Sequence, residues 1–122
     1  MSEMKRQYEY YYERFLQGVL KTRDVNFESK KDIRRNNRGV DQYRDAAMCI
    51  SQYFPERVSD FALLLDNDQQ DIRVACAVSI LSFMKAERIT SEKAVGIIRD
   101  LATNGTPLER TAWTRWLKDR GL

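Results

Sequence analysis

The 122-residue chain contains no histidine. This absence removes the histidine general base, the Ser-His-Asp and Cys-His nucleophile pairs and nearly all catalytic zinc sites. Two cysteines alone cannot complete a structural zinc site, and the sequence has no G-x-x-x-x-G-K-[ST] or G-x-G-x-x-G motif to hold phosphates. Catalysis would have to depend on carboxylates, lysine or tyrosine. We therefore expect a protein that is not an enzyme and that uses no metal or other cofactor.

Proline and glycine are also scarce, with two and five residues, which is too few for a β-sandwich with many turns. No apolar run approaches the roughly 18 residues that span a bilayer, and the first 15 residues carry charges throughout and lack an apolar signal core. Cys49 and Cys76 lie among apolar neighbours, as small buried residues do in a reducing compartment. We expect one cytoplasmic domain over residues 1–122.

Apolar residues recur at three- and four-residue steps, which predicts helices over residues 3–21 and 27–54 in an N-terminal region that ends at residue 54. The run Asn36–Gly39 favours helix poorly, so it marks either a kink in the second helix or a break between two shorter ones. Pro55 ends this element and opens a third helix. The inner face of that helix is predicted to be Val58, Phe61, Leu64 and Leu65.

The second half of the chain carries clear helix boundaries. Asp68 is the predicted N-cap of a fourth helix over about residues 69–86, which is apolar nearly all round and is expected at the centre of the domain. A fifth helix begins after Thr90 and ends at Asn104-Gly105. Thr106–Glu109 then combines an N-cap threonine, a proline at the first helical position and a glutamate that completes a capping box for a sixth helix.

An internal repeat appears when residues 58–80 are shifted forward by 37 positions. The matched pairs are Val58 with Val95, Phe61 with Ile98, Leu64 with Leu101, Asn67 with Asn104, Arg73 with Arg110, Ala75 with Ala112 and Ile80 with Leu117. A two-helix repeat of about this length is typical of an α-solenoid. We predict an all-α fold of five or six helices in antiparallel hairpins, two of them over residues 55–122. Ala75 and Ala112 are expected where helices approach closely.

The sequence DNDQQDIRVACAVSIL resembles the turn and second helix of a HEAT repeat, in which an Asp precedes a Val/Ile-Arg-x-x-Ala run. This resemblance implies that Asp71 and Arg73 tie successive repeats together. From the second helix to the closing TAWTRWLKDRG, the chain also resembles small bacterial HEAT-like proteins of unknown function that occur beside polymorphic and contact-dependent growth-inhibition toxins. This second resemblance implies an immunity protein that binds and neutralises a co-encoded toxin domain, and a nuclease is the expected toxin.

Acidic residues are the first candidates for partner binding, because a stretch of 16 residues holds five carboxylates and one arginine. The carboxylates are Glu56, Asp60, Asp66, Asp68 and Asp71. They could meet a basic toxin surface, although helix capping and placement at the N-terminus of the fourth helix is the favoured interpretation of the last three. A calcium loop is excluded, because Asp71 stands where an EF-hand requires glycine and no glutamate closes the loop.

Basic and aromatic residues are the second group of candidates. Arg34, Arg35 and Arg38, with Lys30 and Lys31, form either solvated surface or a patch facing an anion or a protein. The alternative function is a nucleic-acid-binding HEAT module, in which Arg34, Arg35, Arg38, Arg73 and Arg110 contact phosphates. A scaffold subunit of a larger complex is a third possibility. We expect neither a membrane nor a small-molecule substrate as partner.

Single aromatic side chains complete the list of candidates. Tyr10 lies alone on the polar face of the first helix and is a candidate anchor for a partner. Trp113 and Trp116 are expected to pack as the terminal cap of the core. If either is exposed, it becomes a second anchor, since tryptophan is favoured at binding hot spots.

Overall fold

The computed structural model describes residues 7–122, and no residue in that range lies in a strand. This part of the chain contains six α-helices: α1 (Tyr8–Leu20), α2 (Lys30–Tyr53), α3 (Val58–Phe61), α4 (Gln70–Phe83), α5 (Arg88–Asn104) and α6 (Pro107–Asp119). The prediction of an all-helical chain with five or six helices is confirmed. The predicted start of the first helix, at residues 3–6, falls outside the described residues.

The chain divides into two compact units, one ending at Phe61 and the other spanning Ala62–Leu122. Within the first unit α1 packs along α2, and within the second α5 packs against both α4 and α6. None of the described helices is long and apolar enough to cross a membrane. The single domain over residues 1–122 stays a prediction.

Helix α2 is continuous from Lys30 to Tyr53, so of the two alternatives at Asn36–Gly39 the break into two shorter helices is excluded. Gly39 is buried where α2 crosses α1 at Gly18. A Cβ added to Gly39 would lie 2.6 Å from the carbonyl oxygen of Gly18, and one added to Gly18 would lie 2.8 Å from the carbonyl oxygen of Gly39. Gly39 weakens the helix by about 1 kcal/mol relative to alanine, but its lack of a side chain allows the backbones of α1 and α2 to come into contact.

Aromatic residues form the centre of the first unit. Phe15 is fully buried and meets Tyr43 and Phe61 edge to face, with ring centroids 5.6 and 4.9 Å apart. Such pairs add about 0.5–1.5 kcal/mol each to the stabilisation from burial alone. Phe15 belongs to the apolar stripe that was predicted for α1. Leu20, at the end of that stripe, is 39% exposed.

The predicted third helix is a series of short turns rather than one helix. A 3-10 turn at Pro55–Arg57 leads into α3, and a second one at Ala62–Asp66 follows it. The predicted inner face is nevertheless confirmed, because Val58, Phe61, Leu64 and Leu65 are all buried. The tighter 3-10 winding leaves Leu63 70% exposed.

Helix α4 contributes more buried residues to the second unit than α5 or α6 does. Its buried residues are Ile72, Ala75, Cys76, Ala77, Ser79 and Ile80. The Ser79 hydroxyl is buried and donates a hydrogen bond to the Ala75 carbonyl oxygen of the same helix at 2.8 Å. The helix ends at Phe83, earlier than predicted, because Met84 adopts an extended backbone.

Helices α5 and α6 meet at a well-defined boundary. Asn104-Gly105 ends α5 as predicted, although α5 begins at Arg88 rather than after Thr90. The capping box of α6 is confirmed: Thr106 Oγ1 accepts from the Glu109 amide at 3.2 Å, and Glu109 Oε1 accepts from the Thr106 amide at 2.8 Å.

The repeat alignment holds for its large apolar residues but not for its alanines. All the residues of the four apolar pairs, Val58 and Val95, Phe61 and Ile98, Leu64 and Leu101, and Ile80 and Leu117, are buried. Ala75 is also buried, whereas Ala112 is exposed. The prediction that Ala112 lies at a close helix contact is wrong, because α6 turns that face to solvent.

Candidate functional site

Three carboxylates surround the turn between the 3-10 segment Ala62–Asp66 and α4; we call residues 66–71 the acidic turn. Asp66 and Asp68 are exposed, and Asp71 is half-buried. Asp66 forms an ion pair with Lys93 of α5, with Oδ1 and Nζ 2.6 Å apart. Asp68 has no hydrogen-bond or ion-pair partner within residues 7–122. The acidic turn therefore presents one paired and one unpaired carboxylate to solvent.

The predicted capping role of Asp68 is wrong. The N-cap of α4 is Gln69, and no side chain caps the helix there. Asp68 lies in a bend one residue before the N-cap, and its carboxylate accepts no hydrogen bond from the first free amides of the helix. The turn is instead closed by Asn67, whose side-chain oxygen accepts from the Gln69 amide at 2.9 Å.

Two further arginine contacts hold turns of the second unit in place. Arg73 Nη1 donates to the Asn67 carbonyl oxygen at 2.8 Å, and Arg110 Nη1 donates to the Gly105 carbonyl oxygen at 2.9 Å. Each arginine thus bonds the turn that precedes its own helix. These two guanidinium groups stabilise the fold, and Arg73 constrains the backbone of the acidic turn.

The other two candidate carboxylates belong to the first unit. Glu56 is exposed and has no partner among the described residues. Asp60 accepts from Arg57 Nε at 2.6 Å, and Arg57 also reaches Glu9 at 3.5 Å. The Asp60 hydrogen bond is the main reason that the pKa of Arg57 is raised. Of these two carboxylates, Glu56 is therefore available to a partner protein, whereas Asp60 is paired with Arg57.

The predicted basic group on α2 separates into two kinds of residue. Lys30, Lys31, Arg34 and Arg38 are exposed, and none has a partner within the described part of the chain. Arg35 is different, because its guanidinium donates to the carbonyl oxygens of Arg23, at 2.8 Å, and of Lys21 and Asp24, both at 3.2 Å. Arg35 holds the α1–α2 connection.

The aromatic candidates are partly covered. Tyr10 is 39% exposed, meets the Tyr11 ring edge to face and lies under the Arg14 guanidinium. Trp113 and Trp116 are half-buried with ring centroids 5.8 Å apart. The guanidinium carbon of Arg120 lies 3.8 Å above the Trp116 ring. Neither tryptophan is a fully exposed anchor.

A groove between α4 and α5 was missed from the sequence. This α4–α5 groove has a volume of about 320 Å³. Its walls include Gln70, Arg73 and Val74 of α4 with Lys93, Gly96 and Ile97 of α5. The available signal was Gly96, a glycine in the middle of a predicted helix with no turn or cap to explain it.

A second, shallow depression of about 670 Å³ lies on the outer face of α6. Arg110, Arg115, Lys118 and two threonines line it, and Asp119 adds one carboxylate. Arg110 and Arg115 are both engaged, the first with Gly105 and the second with Asp119 at 3.9 Å.

The described residues contain no group of three or more cysteine and carboxylate side chains that could hold a metal ion. Burial raises the pKa of the Cys76 thiol. Partial burial, with a smaller contribution from Asp45, also raises the pKa of Cys49. Neither cysteine forms a disulfide within residues 7–122, and both thiols disfavour the reactive thiolate form.

Comparison of the chain with protein families, curated proteins and solved structures found no match.

Proposed function

We propose that this protein is a cytoplasmic immunity protein that binds a co-encoded toxin domain, expected to be a nuclease, and blocks it without catalysis. The acidic turn is the proposed contact surface. Nucleases that act on a polyanion carry basic surfaces, and complementary charge accelerates the encounter of two proteins.

The observation that carries this proposal is a hydrogen-bonded turn bearing exposed carboxylates. Arg73 and Asn67 hold the backbone of the acidic turn, while Asp68 remains unpaired among residues 7–122. Because these hydrogen bonds constrain the turn, less conformational entropy would be lost on association. Leu63, 70% exposed and three residues before Asp66, adds apolar surface next to the charges in sequence.

We also propose that the second unit is built from HEAT-like antiparallel hairpins. The packing of α5 against both α4 and α6 supports this arrangement. So do the hydrogen bonds that Arg73 and Arg110, 37 residues apart, donate to carbonyl oxygens of their preceding turns, although the acceptors, Asn67 and Gly105, are not equivalent in the repeat. Stacked hairpins leave their turns along one edge, which is where the acidic turn would meet its partner.

The proposal is tested with the toxin domain encoded beside this gene. Asp68→Lys reverses an unpaired charge and, because Asp68 caps no helix, should leave the melting temperature unchanged. We expect the affinity for the toxin domain to fall at least about tenfold, or 1.4 kcal/mol, mainly through slower association. Glu56→Lys tests the first unit in the same way. Asp66→Lys would be less informative, because it also breaks the ion pair with Lys93.

Asp41→Lys is the charge-matched control, since Asp41 is exposed on α2 and far in sequence from the acidic turn. If it weakens binding as much as Asp68→Lys does, then net charge rather than the acidic turn governs association. If no toxin domain is encoded beside the gene, or the encoded domain does not bind, the proposed partner is wrong.

Nucleic-acid binding is the alternative, favoured by the unpaired exposed cations Lys30, Lys31, Arg34 and Arg38 of α2. Three of the five arginines expected to contact phosphates are engaged with backbone carbonyls, which leaves Arg34 and Arg38. Affinity for a short DNA or RNA duplex that falls steeply with salt, and that Asp68→Lys increases, would support this alternative against the immunity function.

A further inference from the structure

Phe27 is an exposed aromatic residue in the connection between α1 and α2. It is 73% exposed and makes no ring contact with another described residue. A single exposed apolar residue is common on protein surfaces and by itself indicates nothing. Two neighbouring features distinguish Phe27: the hydrogen-bonded loop that carries it and the row of cations that follows it.

Hydrogen bonds constrain the loop on both sides of Phe27. The Asn26 amide donates to a carboxylate oxygen of Asp32 at 3.0 Å, and the Glu28 amide donates to the Asn26 side-chain oxygen at 2.9 Å. The Arg35 guanidinium donates to carbonyl oxygens of the preceding residues. Because a phenylalanine side chain has only two rotatable bonds, ordering it against a ligand costs less conformational entropy than ordering a longer side chain.

Four exposed cations follow Phe27 on one side of α2, and we call them the α2 cationic face. They are Lys30, Lys31, Arg34 and Arg38. None has a hydrogen-bond or ion-pair partner among residues 7–122. The helical period places them within an arc of about 100°. Asp32, the one carboxylate between the first and the last of them, falls outside this arc and bonds Asn26 and Arg35.

The placement of these cations opposes the stability of α2. Lys30 and Lys31 are its first two residues, where the positive end of the helix dipole disfavours further positive charge. Like charges four residues apart, as Lys30 and Arg34 are, also destabilise a helix. A charge pattern that weakens the helix without a compensating ion pair is where a functional constraint is expected.

The spacing of the cations favours a polyanion with a regular repeat. Lys30, Arg34 and Arg38 recur every four residues, so they are about 6 Å apart along the helix axis. Successive phosphates of an extended single strand are separated by a similar distance. Glu28 and Asp41, exposed at the two ends of the α2 cationic face, limit the row to a few phosphates.

Phe27 favours a single strand over a duplex or a membrane. Its ring offers a face on which an unpaired base can stack, whereas the bases of a duplex are already stacked on one another. An anionic bilayer would attract the cations as well. Insertion of Phe27 would, however, carry the adjacent exposed carboxylate of Glu28 into a surface of like charge.

We infer that the first unit binds single-stranded nucleic acid, with phosphates along the α2 cationic face and one base stacked on Phe27. The inference does not rest on the proposed toxin partner, because it uses none of the carboxylates of the acidic turn. It goes beyond the nucleic-acid binding considered above in requiring a base that is free to stack.

The full chain is titrated with a fluorescently labelled oligothymidylate of about 12 nucleotides, which forms no base pairs. Four cations that each neutralise one phosphate release counterions, so the affinity should fall about 50-fold between about 50 and 200 mM salt. Arg34→Gln should reduce this salt dependence, because one phosphate contact is lost. Lys85→Gln, which removes an exposed cation from the second unit, should leave it unchanged.

Substitutions of Phe27 test the stacking. Phe27→Ala should weaken binding at least about fivefold, the loss expected from one stacked base. Phe27→Leu should weaken it as much, because leucine is apolar but has no ring, and Phe27→Tyr should retain the affinity. Ile89→Ala is the matched control, since Ile89 is 74% exposed on α5, and should bind like the wild type. Because both side chains are exposed, the melting temperature should not change.

The inference is overturned if the oligothymidylate does not bind, if a duplex of the same length binds as tightly, or if Phe27→Ala or Phe27→Leu binds like the wild type. Competition by polyglutamate as effective as that by unlabelled oligothymidylate would show that charge alone is recognised, which also contradicts it. Binding to phosphatidylserine vesicles in place of the oligothymidylate would identify a membrane surface instead. Toxin binding, which Phe27→Ala should leave intact, reports separately on the proposed function, so either proposal can fail alone.

Discussion

Replacing Gly39 with alanine tests the tight crossing of α1 and α2. The added Cβ would lie 2.6 Å from the Gly18 carbonyl oxygen and 2.7 Å from Cβ of Lys21. Carbon and oxygen atoms in comparable close contacts are about 3.3–3.6 Å apart. The helices would therefore have to separate by roughly 0.7–1 Å at this point. A gap of that size removes a quarter to a half of the dispersion energy of the contacting atoms around it.

The magnitude follows from two opposing effects. Overpacking of a tight contact costs about 1–3 kcal/mol, and backbone atoms that cannot rotate away place this site at the upper end. Alanine stabilises the helix by about 1 kcal/mol relative to glycine through its better helix propensity, which offsets part of this loss. We expect Gly39→Ala to lower the free energy of unfolding by about 2 kcal/mol. For a chain of this length, that lowers the melting temperature by roughly 8 °C.

The assay is thermal and urea unfolding followed by circular dichroism. Gly96→Ala is the matched control, because its Cβ meets no atom within 4 Å; it should stabilise the chain by about 0.5–1 kcal/mol. Gly18→Ala acts on the same contact as Gly39→Ala, so the double variant should lose less than the sum of the two. If Gly39→Ala is as stable as the wild type or more so, the helices do not touch as described.

Two further predictions concern α4. Ala75→Leu should lower the free energy of unfolding by about 1–3 kcal/mol, because Ala75 is 7% exposed. Ala112→Leu should change it by no more than about 0.5 kcal/mol in the same unfolding assay, because Ala112 is exposed. Equal losses would show that the two alanines are equally buried. Burial raises the pKa of Cys76 above its ordinary value of 9.0. Above that pH the unfolded thiol ionises and the folded one does not, so stability falls as the pH rises. Between pH 8 and pH 10 the loss due to this thiol is about 1.4 kcal/mol, and Cys76→Ala should remove that part; an unchanged pH dependence would refute it.

Most of the helical fold could be predicted from local chemistry. The capping box at Thr106–Glu109 and the helix end at Asn104-Gly105 each depend on residues within one helical turn of each other. Both boundaries could therefore be predicted from the sequence. The apolar repeat from Val58 to Leu117 likewise predicted which large side chains are buried. The start of the fourth helix was predicted to within one residue, but its end was placed too late and its cap was assigned to Asp68, one residue before the observed N-cap Gln69.

The candidate site could be predicted only in part. The exposed carboxylates of residues 56–71 were found from composition, yet the availability of each depends on a distant partner. Asp66 is paired with Lys93, 27 residues away, and Asp68 is not. Arg35 was grouped with Arg34 and Arg38 by sequence, but it bonds carbonyl groups in the α1–α2 connection.

The sequence by itself determined the helical class, the main boundaries and the apolar face of each helix, because these depend on residues a few positions apart. The glycines show what only the tertiary structure decided. Gly39 and Gly96 both look like helix-weakening residues, with the same intrinsic cost. Gly39 is required by a second backbone 21 residues away, at Gly18, and Gly96 faces open space beside a groove. That difference arises from contacts between residues distant in the chain, which no local pattern encodes.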